Sequence, residues 1–220
     1  LPLVAPRQAP LKEVSAGHTF YLEEMKLQPG DVVSYFARAT DNDAVQGGKT
    51  GSSDIFFLEV RPFRKDYRAA ESQALAAAQA GAQGASGNDP SALSEQQRRI
   101  ISGTFNVVRD RARAAADKFR EDVVFLTLTQ GQLRERVEAL AAQMNVRLEA
   151  GASTMRQVTQ ALVDAARAMR AAELKLQARD PSQALAPEQQ ALGALLRAEE
   201  TYRDVRVAMS NERAGGGRGG

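Results

Sequence analysis

The most regular pattern of apolar positions begins at Phe119. Phe119, Val123, Leu126, Gln130, Leu133, Val137, Leu140 and Met144 follow one another at alternating steps of four and three, the spacing of a single stripe on a helix wound against a partner. Leu148 adds a further step of four, after which Met155, Val158, Leu162, Ala165, Met169, Ala172 and Leu176 resume the alternation. Between the two stripes stand Gly151 and Ser153, a natural helix C′ residue and a natural N-cap. The pattern allows a continuous rod or an antiparallel hairpin turned at residues 149–153. A rod carries Gly151 inside a helix at about 1 kcal/mol relative to alanine and needs a second chain along its whole length, whereas a hairpin buries both stripes internally. The hairpin is the expected arrangement.

Helical patterning extends to both sides of this seam. Ser94 is placed to cap a helix, with Gln97 three residues on and Ile101, Phe105, Val108 and Ala112 along one face. Asp180 and Pro181 are expected to end the second seam helix. Pro187 should open the last helix at its first position, with Leu192, Leu195, Leu196, Tyr202, Val205 and Met209 as its apolar side. Phe63 to Ala80 has helical propensity, and Gly81 to Pro90 reads as a flexible break. The closing GGGRGG is expected to be disordered.

The first sixty residues read differently. His18 to Leu27 is strand-like if a bulge near Glu23 and Glu24 resets its alternation, and a Pro-Gly turn follows at Pro29 and Gly30. Asp31 to Thr40 alternates, with Val33, Tyr35, Ala37 and Ala39 on one face and Ser34, Phe36 and Arg38 on the other. Residues 41 to 53 read as a loop and Asp54 to Arg61 as a closing strand. Leu27, Pro29, Gly30 and Tyr35 resemble the turn and strand tyrosine of immunoglobulin-like or fibronectin-like sandwiches, so this part is expected to be the closing strands of such a module. The lead-in, with Pro2, Pro6 and Pro10, should be irregular. The expected fold class is therefore α+β, mainly α. A partial β module over residues 1–62 is followed by a helix and linker over 63–92, an elongated coiled-coil-like region over 93–210 and a tail over 211–220.

Composition narrows what such a chain can do. Aromatic residues make up 5% and there is no tryptophan, so the helices should pack closely through small side chains. Residues before Pro62 carry 6 basic and 8 acidic groups, and those after it 23 and 19. Neither part forms the one-signed field of a nucleic-acid binder. The absence of cysteine removes disulfides, zinc-thiolate sites and thiol nucleophiles. No apolar run of about 18 residues is present to span a bilayer, so membrane anchoring is expected only through segments outside this chain.

Candidate chemistry is sparse. Gly47, Gly48, Lys49 and Thr50 echo the end of a phosphate-binding loop, but Asp43 stands where its first glycine belongs, and a hairpin loop is the preferred reading. Asp41, Asp43 and Asp54 could gather around a calcium ion at one end of a sandwich, although aspartates are also common in turns. His18 is the only histidine and reads as strand surface. The pairs Glu23 with Glu24 and Glu199 with Glu200 point apart and read as solvated charges, as do Arg109, Arg111, Arg113, Arg134 and Arg136. No cofactor is expected.

The order of LQPGDVVSYFARATDND, SDIFFLEVRPF, SEQQRRIISGTFNVVRDR, FLTLTQGQLRERVEALA and PEQQALGALLRAEETYRDV resembles the extracytoplasmic region of an uncharacterised bacterial membrane-anchored family, in which transmembrane helices precede Ig-like strands and a long coiled-coil region. The resemblance implies an envelope location, with this part periplasmic, and no established activity. The function expected is a non-catalytic scaffold or protein-interaction segment. Its partners are proteins or a second copy, met through the seam residues Phe119, Val123, Leu126, Leu133, Val137, Leu140, Met144, Met155, Val158, Leu162, Met169 and Leu176. The alternative is the ectodomain of a sensor that relays ligand binding through helix packing. An enzyme would need a site completed from outside the chain.

Overall fold

The computed structural model describes residues 15–41, 48–61, 90–147 and 153–215, the last helix beyond residue 203 by its backbone alone. Among these the chain is mainly helical, with a few short antiparallel strands. The helices are α1, Pro90–Asp110; α2, Ala116–Arg147; α3, Ser153–Gln177; and α4, Pro181–Gly215. The strands are β1, Val32–Tyr35; β2, Arg38–Thr40; β3, Thr50–Ser52; and β4, Phe56–Glu59. The expected helix over 63–80 and its following linker, to residue 89, lie outside the described residues.

Each helix packs on two others: α1 on α2 and α4, and α3 on α2 and α4, so the four close into a ring. The two stripes thus meet as a folded-back pair, and the rod is excluded. Leu133, Val137, Leu162, Met169 and Leu176 are fully buried, in one cluster with Ala184, Ala191 and Leu195 of α4. Small residues set the spacing, as expected for an alanine-rich core: a Cβ at Gly103 of α1 would lie 3.0 Å from Leu126 Cδ2 of α2.

Helix boundaries depart from expectation at two places. Ser94 does not cap α1, because the helix already starts at Pro90, where a proline's missing N–H costs nothing. Ser94 is buried instead, its hydroxyl donating to Glu199 Oε2 at 2.9 Å. Pro187 does not open the last helix. It lies inside α4, which is started by Asp180 and Pro181. Asp180 Oδ1 accepts from Gln183 N at 3.3 Å and from Ser182 Oγ at 2.6 Å, and these bonds hold its carboxyl below the usual range. The expected end of α3 is found, with Arg179 left-handed at φ 59° and its N–H donating to Leu176 O at 2.8 Å. The α4 backbone continues to Gly215, past the point where the tail was expected to begin.

The β part is smaller than its sequence suggests. Residues Leu22–Met25 form a 3-10 turn, not a strand. Two adjacent glutamates break the alternation there, and Lys26 closes the turn at φ 52°. The Pro-Gly turn forms as expected: Asp31 N donates to Gln28 O at 2.9 Å and Gly30 takes φ 89°. The single strand expected over 31–40 is split at Phe36 and Ala37 into β1 and β2, which pair with β4 and β3 respectively in two two-stranded sheets. Phe36 leaves the ladder and packs its ring 4.9 Å from that of Phe105. Thr50–Ser52, expected as loop, is β3.

The β1–β4 register pairs Val32 with Glu59, Val33 with Leu58, Ser34 with Phe57 and Tyr35 with Phe56. Alternation gives the pair two faces. On one, Val32 and Phe57 pack on a cluster of Ile55, Ile101, Phe105, Leu192 and Leu196. Ser34 Oγ accepts from Gln189 Nε2 at 2.9 Å and Glu59 Oε2 from Arg98 NH2 at 2.9 Å. This β layer therefore rests on α1 and α4.

Candidate interaction surface and buried polar core

The residues of the sequence-derived seam face into the bundle, and from Leu126 on they share one core cluster. Phe119, Val123, Leu126, Leu133, Val137, Leu140, Met144, Val158, Leu162, Met169 and Leu176 are buried, and Met155 is half-buried against them. A partner met through these side chains would have to displace the chain's own helices. What α2 turns outward is a second apolar group that sequence reasoning passed over: Val124, Phe125 and Leu128 are 57%, 67% and 62% exposed. At spacings of three and four they form one contiguous patch on the helix. The signal was the unbroken run Val123 to Leu126, of which the seam uses only the two ends.

Polar side chains cross the interior at several places besides the Ser94–Glu199 bond. Gln97 of α1 and Gln130 of α2, both fully buried, exchange amide hydrogen bonds at 3.2 and 3.1 Å. Gln97 Nε2 also reaches the Glu188 carbonyl oxygen of α4 at 3.4 Å. Thr104 Oγ1 donates to Glu188 Oε1 at 2.8 Å. Glu188 Oε2 has no hydrogen-bond partner among the described residues, and burial pushes this carboxyl up to about 8. Nearer the surface, Arg134 Nε donates to Glu173 Oε2 at 2.9 Å and NH1 to Glu138 Oε1 at 2.8 Å. Its hydrogen bonds to the two carboxylates, Glu138 first, raise the Arg134 pKa.

Several charges expected to be merely solvated hold elements together. Arg109 NH1 donates to Asp54 Oδ1 at 2.8 Å and to Ser53 O at 3.4 Å, tying the end of α1 to the β layer. Arg113 NH2 reaches Thr50 O at 3.5 Å, and Arg136 NH1 reaches Gln96 Oε1 at 3.2 Å. The Arg111 guanidinium lies 4.0 Å from the centre of the Phe119 ring, a cation–π contact. Glu199 accepts from Ser94 and Arg203.

The other candidates stay apart or are already engaged. Asp41 Oδ1 accepts from Lys49 N at 2.7 Å, Asp54 is paired with Arg109, and Asp43 lies outside the described residues. Among those residues no group of three possible metal ligands occurs. Thr50 begins strand β3, so no helix follows Lys49 and Thr50. His18 is exposed, its ring 5.0 Å from that of Phe20. Two shallow clefts flank the β layer. One of about 450 Å³ between β1 and α4 is lined by Asp31, Ser34, Gln189 and Arg197. The other, of about 520 Å³ between β4 and α1, is lined by Phe56, Arg98, Arg99 and Asn106.

No protein-family model matches the chain, and neither the curated proteins nor the solved structures contain a match to it. Among the described residues no helix is long and apolar enough to cross a membrane.

Proposed function

We propose that the chain is a non-catalytic interaction segment, a scaffold that meets a second copy of itself through the outer face of α2. The observation that carries this reading is the exposed patch of Val124, Phe125 and Leu128. Three large apolar side chains side by side on one helix face, with the seam beneath already filled from within, leave apolar surface that association would remove from water. The order of β strands, turn and helices supports an envelope setting on the strength of its resemblance to the bacterial membrane-anchored family, with anchoring by segments outside this chain. An Ig-like sandwich and a coiled coil in the strict sense are part of that proposal. A relay from the β layer to the helices is the second reading, favoured by the shared cluster of Ile55, Phe105 and Leu196.

Sedimentation velocity over a range of concentrations tests the first reading. The chain is expected to shift from monomer to dimer, and Phe125→Ser with Leu128→Ser to remain monomeric with unchanged helical circular dichroism. A wild-type chain that stays monomeric throughout removes the proposal.

A further inference from the structure

Glu188 occupies a position that packing alone does not explain. It is a carboxylic acid with no exposed surface, on α4 where that helix meets α1, four and seven residues before the buried Leu192 and Leu195. One oxygen takes the Thr104 hydroxyl of α1 and the other meets no donor or acceptor among the described residues. Its backbone carbonyl takes the amide of Gln97, which is itself locked to Gln130 of α2. The residue thus joins α4 to α1 through its carboxyl and, through its backbone carbonyl and Gln97, to the amide pair with α2.

Among the described residues, most charged groups on the packed elements have other partners, while Arg197 of α4 is exposed and Arg98 Nε of α1 is left without a hydrogen-bond partner. On α1, Arg98 reaches Glu59 and Glu95, and Arg109 reaches Asp54 and Asp110. On α2, Arg134 reaches Glu138 and Glu173, the latter from α3. On α4 itself, Glu199 is bonded to Ser94 and Arg203. On the β layer, Asp31 accepts from Gln28 N. Among the described residues, burial raises the Glu188 carboxyl and the Thr104 hydroxyl, by bonding its charged form, lowers it.

We infer that Glu188 is a proton-dependent latch between α1 and α4, closed while its carboxyl is protonated and loosened when it ionises. A buried carboxylate with one hydrogen bond and no counter-charge is far costlier than the neutral acid. The cheapest relief is to let water reach it by parting α1 from α4. The β layer stands on the same two helices through Ile101, Phe105, Leu192 and Leu196, so loosening is transmitted to it. With a carboxyl that titrates at about 8, the latch responds to modest alkalinity.

Two measurements on the same chain test this. Carbon-13 NMR of the Glu188 carboxyl in the unmutated protein is expected to show its inflection at about 8, against an ordinary value of about 4.5. Amide exchange, corrected for the intrinsic effect of pH, is expected to show protection of residues 100–105 falling about tenfold or more between about pH 6 and pH 9. Glu188→Gln should abolish that fall and leave α2 and α3 as before. An ordinary carboxyl inflection, or the same loss of protection in the glutamine variant, overturns the inference.

Discussion

At the scale of single residues, the buried amide pair is the sharpest determinant of how α1 sits on α2. Gln97→Leu strands the amide of Gln130 in the core, and is expected to cost about 1–3 kcal/mol in urea denaturation. Converting both residues to leucine should recover much of that loss. Glu188 adds a pH dependence whose sign follows from burial raising its carboxyl. Below about 4.5, its ordinary value, folded and unfolded chains both hold the proton. Between there and about 8 the unfolded chain has released it while the folded chain has not, so stability falls as pH rises through this window and levels off above it. Each tenfold difference in proton affinity between the two states corresponds to about 1.4 kcal/mol, so the loss is on the order of 5 kcal/mol. Denaturation across that range should show the slope, and Glu188→Gln should flatten it. The residue was legible in principle, since it continues the stripe of Leu192 and Leu195. Reading Pro187 as the first residue of a helix placed Glu188 in a first turn, where an exposed acid is favoured anyway, and hid it.

At the scale of elements, long helices with an uninterrupted stripe were legible and short ones with competing signals were not. The seams from Phe119 to Met144 and from Val158 to Leu176 are buried as their spacing implies, with Met155 half-buried, because 3.6-residue periodicity is a property of the whole segment. The strand over 31–40 failed as one piece because its alternation carries no information about where Phe36 finds a better partner, in this case Phe105 on a helix far along the chain. Ser94 failed as a cap for a similar reason: serine before an apolar run is a local signal, and Glu199 is a distant one. Phe105→Ala removes the ring on which the β layer leans. It should cost about 3–5 kcal/mol, and limited proteolysis should then cut the β part before the helices. Pro187→Ala restores an N–H donor within α4, and a modest rise in melting temperature is the expected outcome.

At the scale of the whole molecule, the pattern that best announces a partner is the one the chain satisfies by itself. A three-four stripe is agnostic about whether its complement lies in the same chain or another, so the seam was legible and its direction was not. Closing it internally leaves Val124, Phe125 and Leu128 of α2's outer face in water, and the proposed association is placed there. The chain has no cysteine, so spin labels can be placed by Gln132→Cys and Leu174→Cys without interference, both sites being exposed. Packed helices lie about 8–10 Å apart between axes, which puts the two labels within about 30 Å. A continuous rod separates them by roughly 60 Å at 1.5 Å per residue. Pulsed electron resonance should return the short distance, unchanged when labelled chains are diluted with unlabelled ones. A distance near 60 Å, or a short one that vanishes on dilution, would contradict a seam closed within one chain.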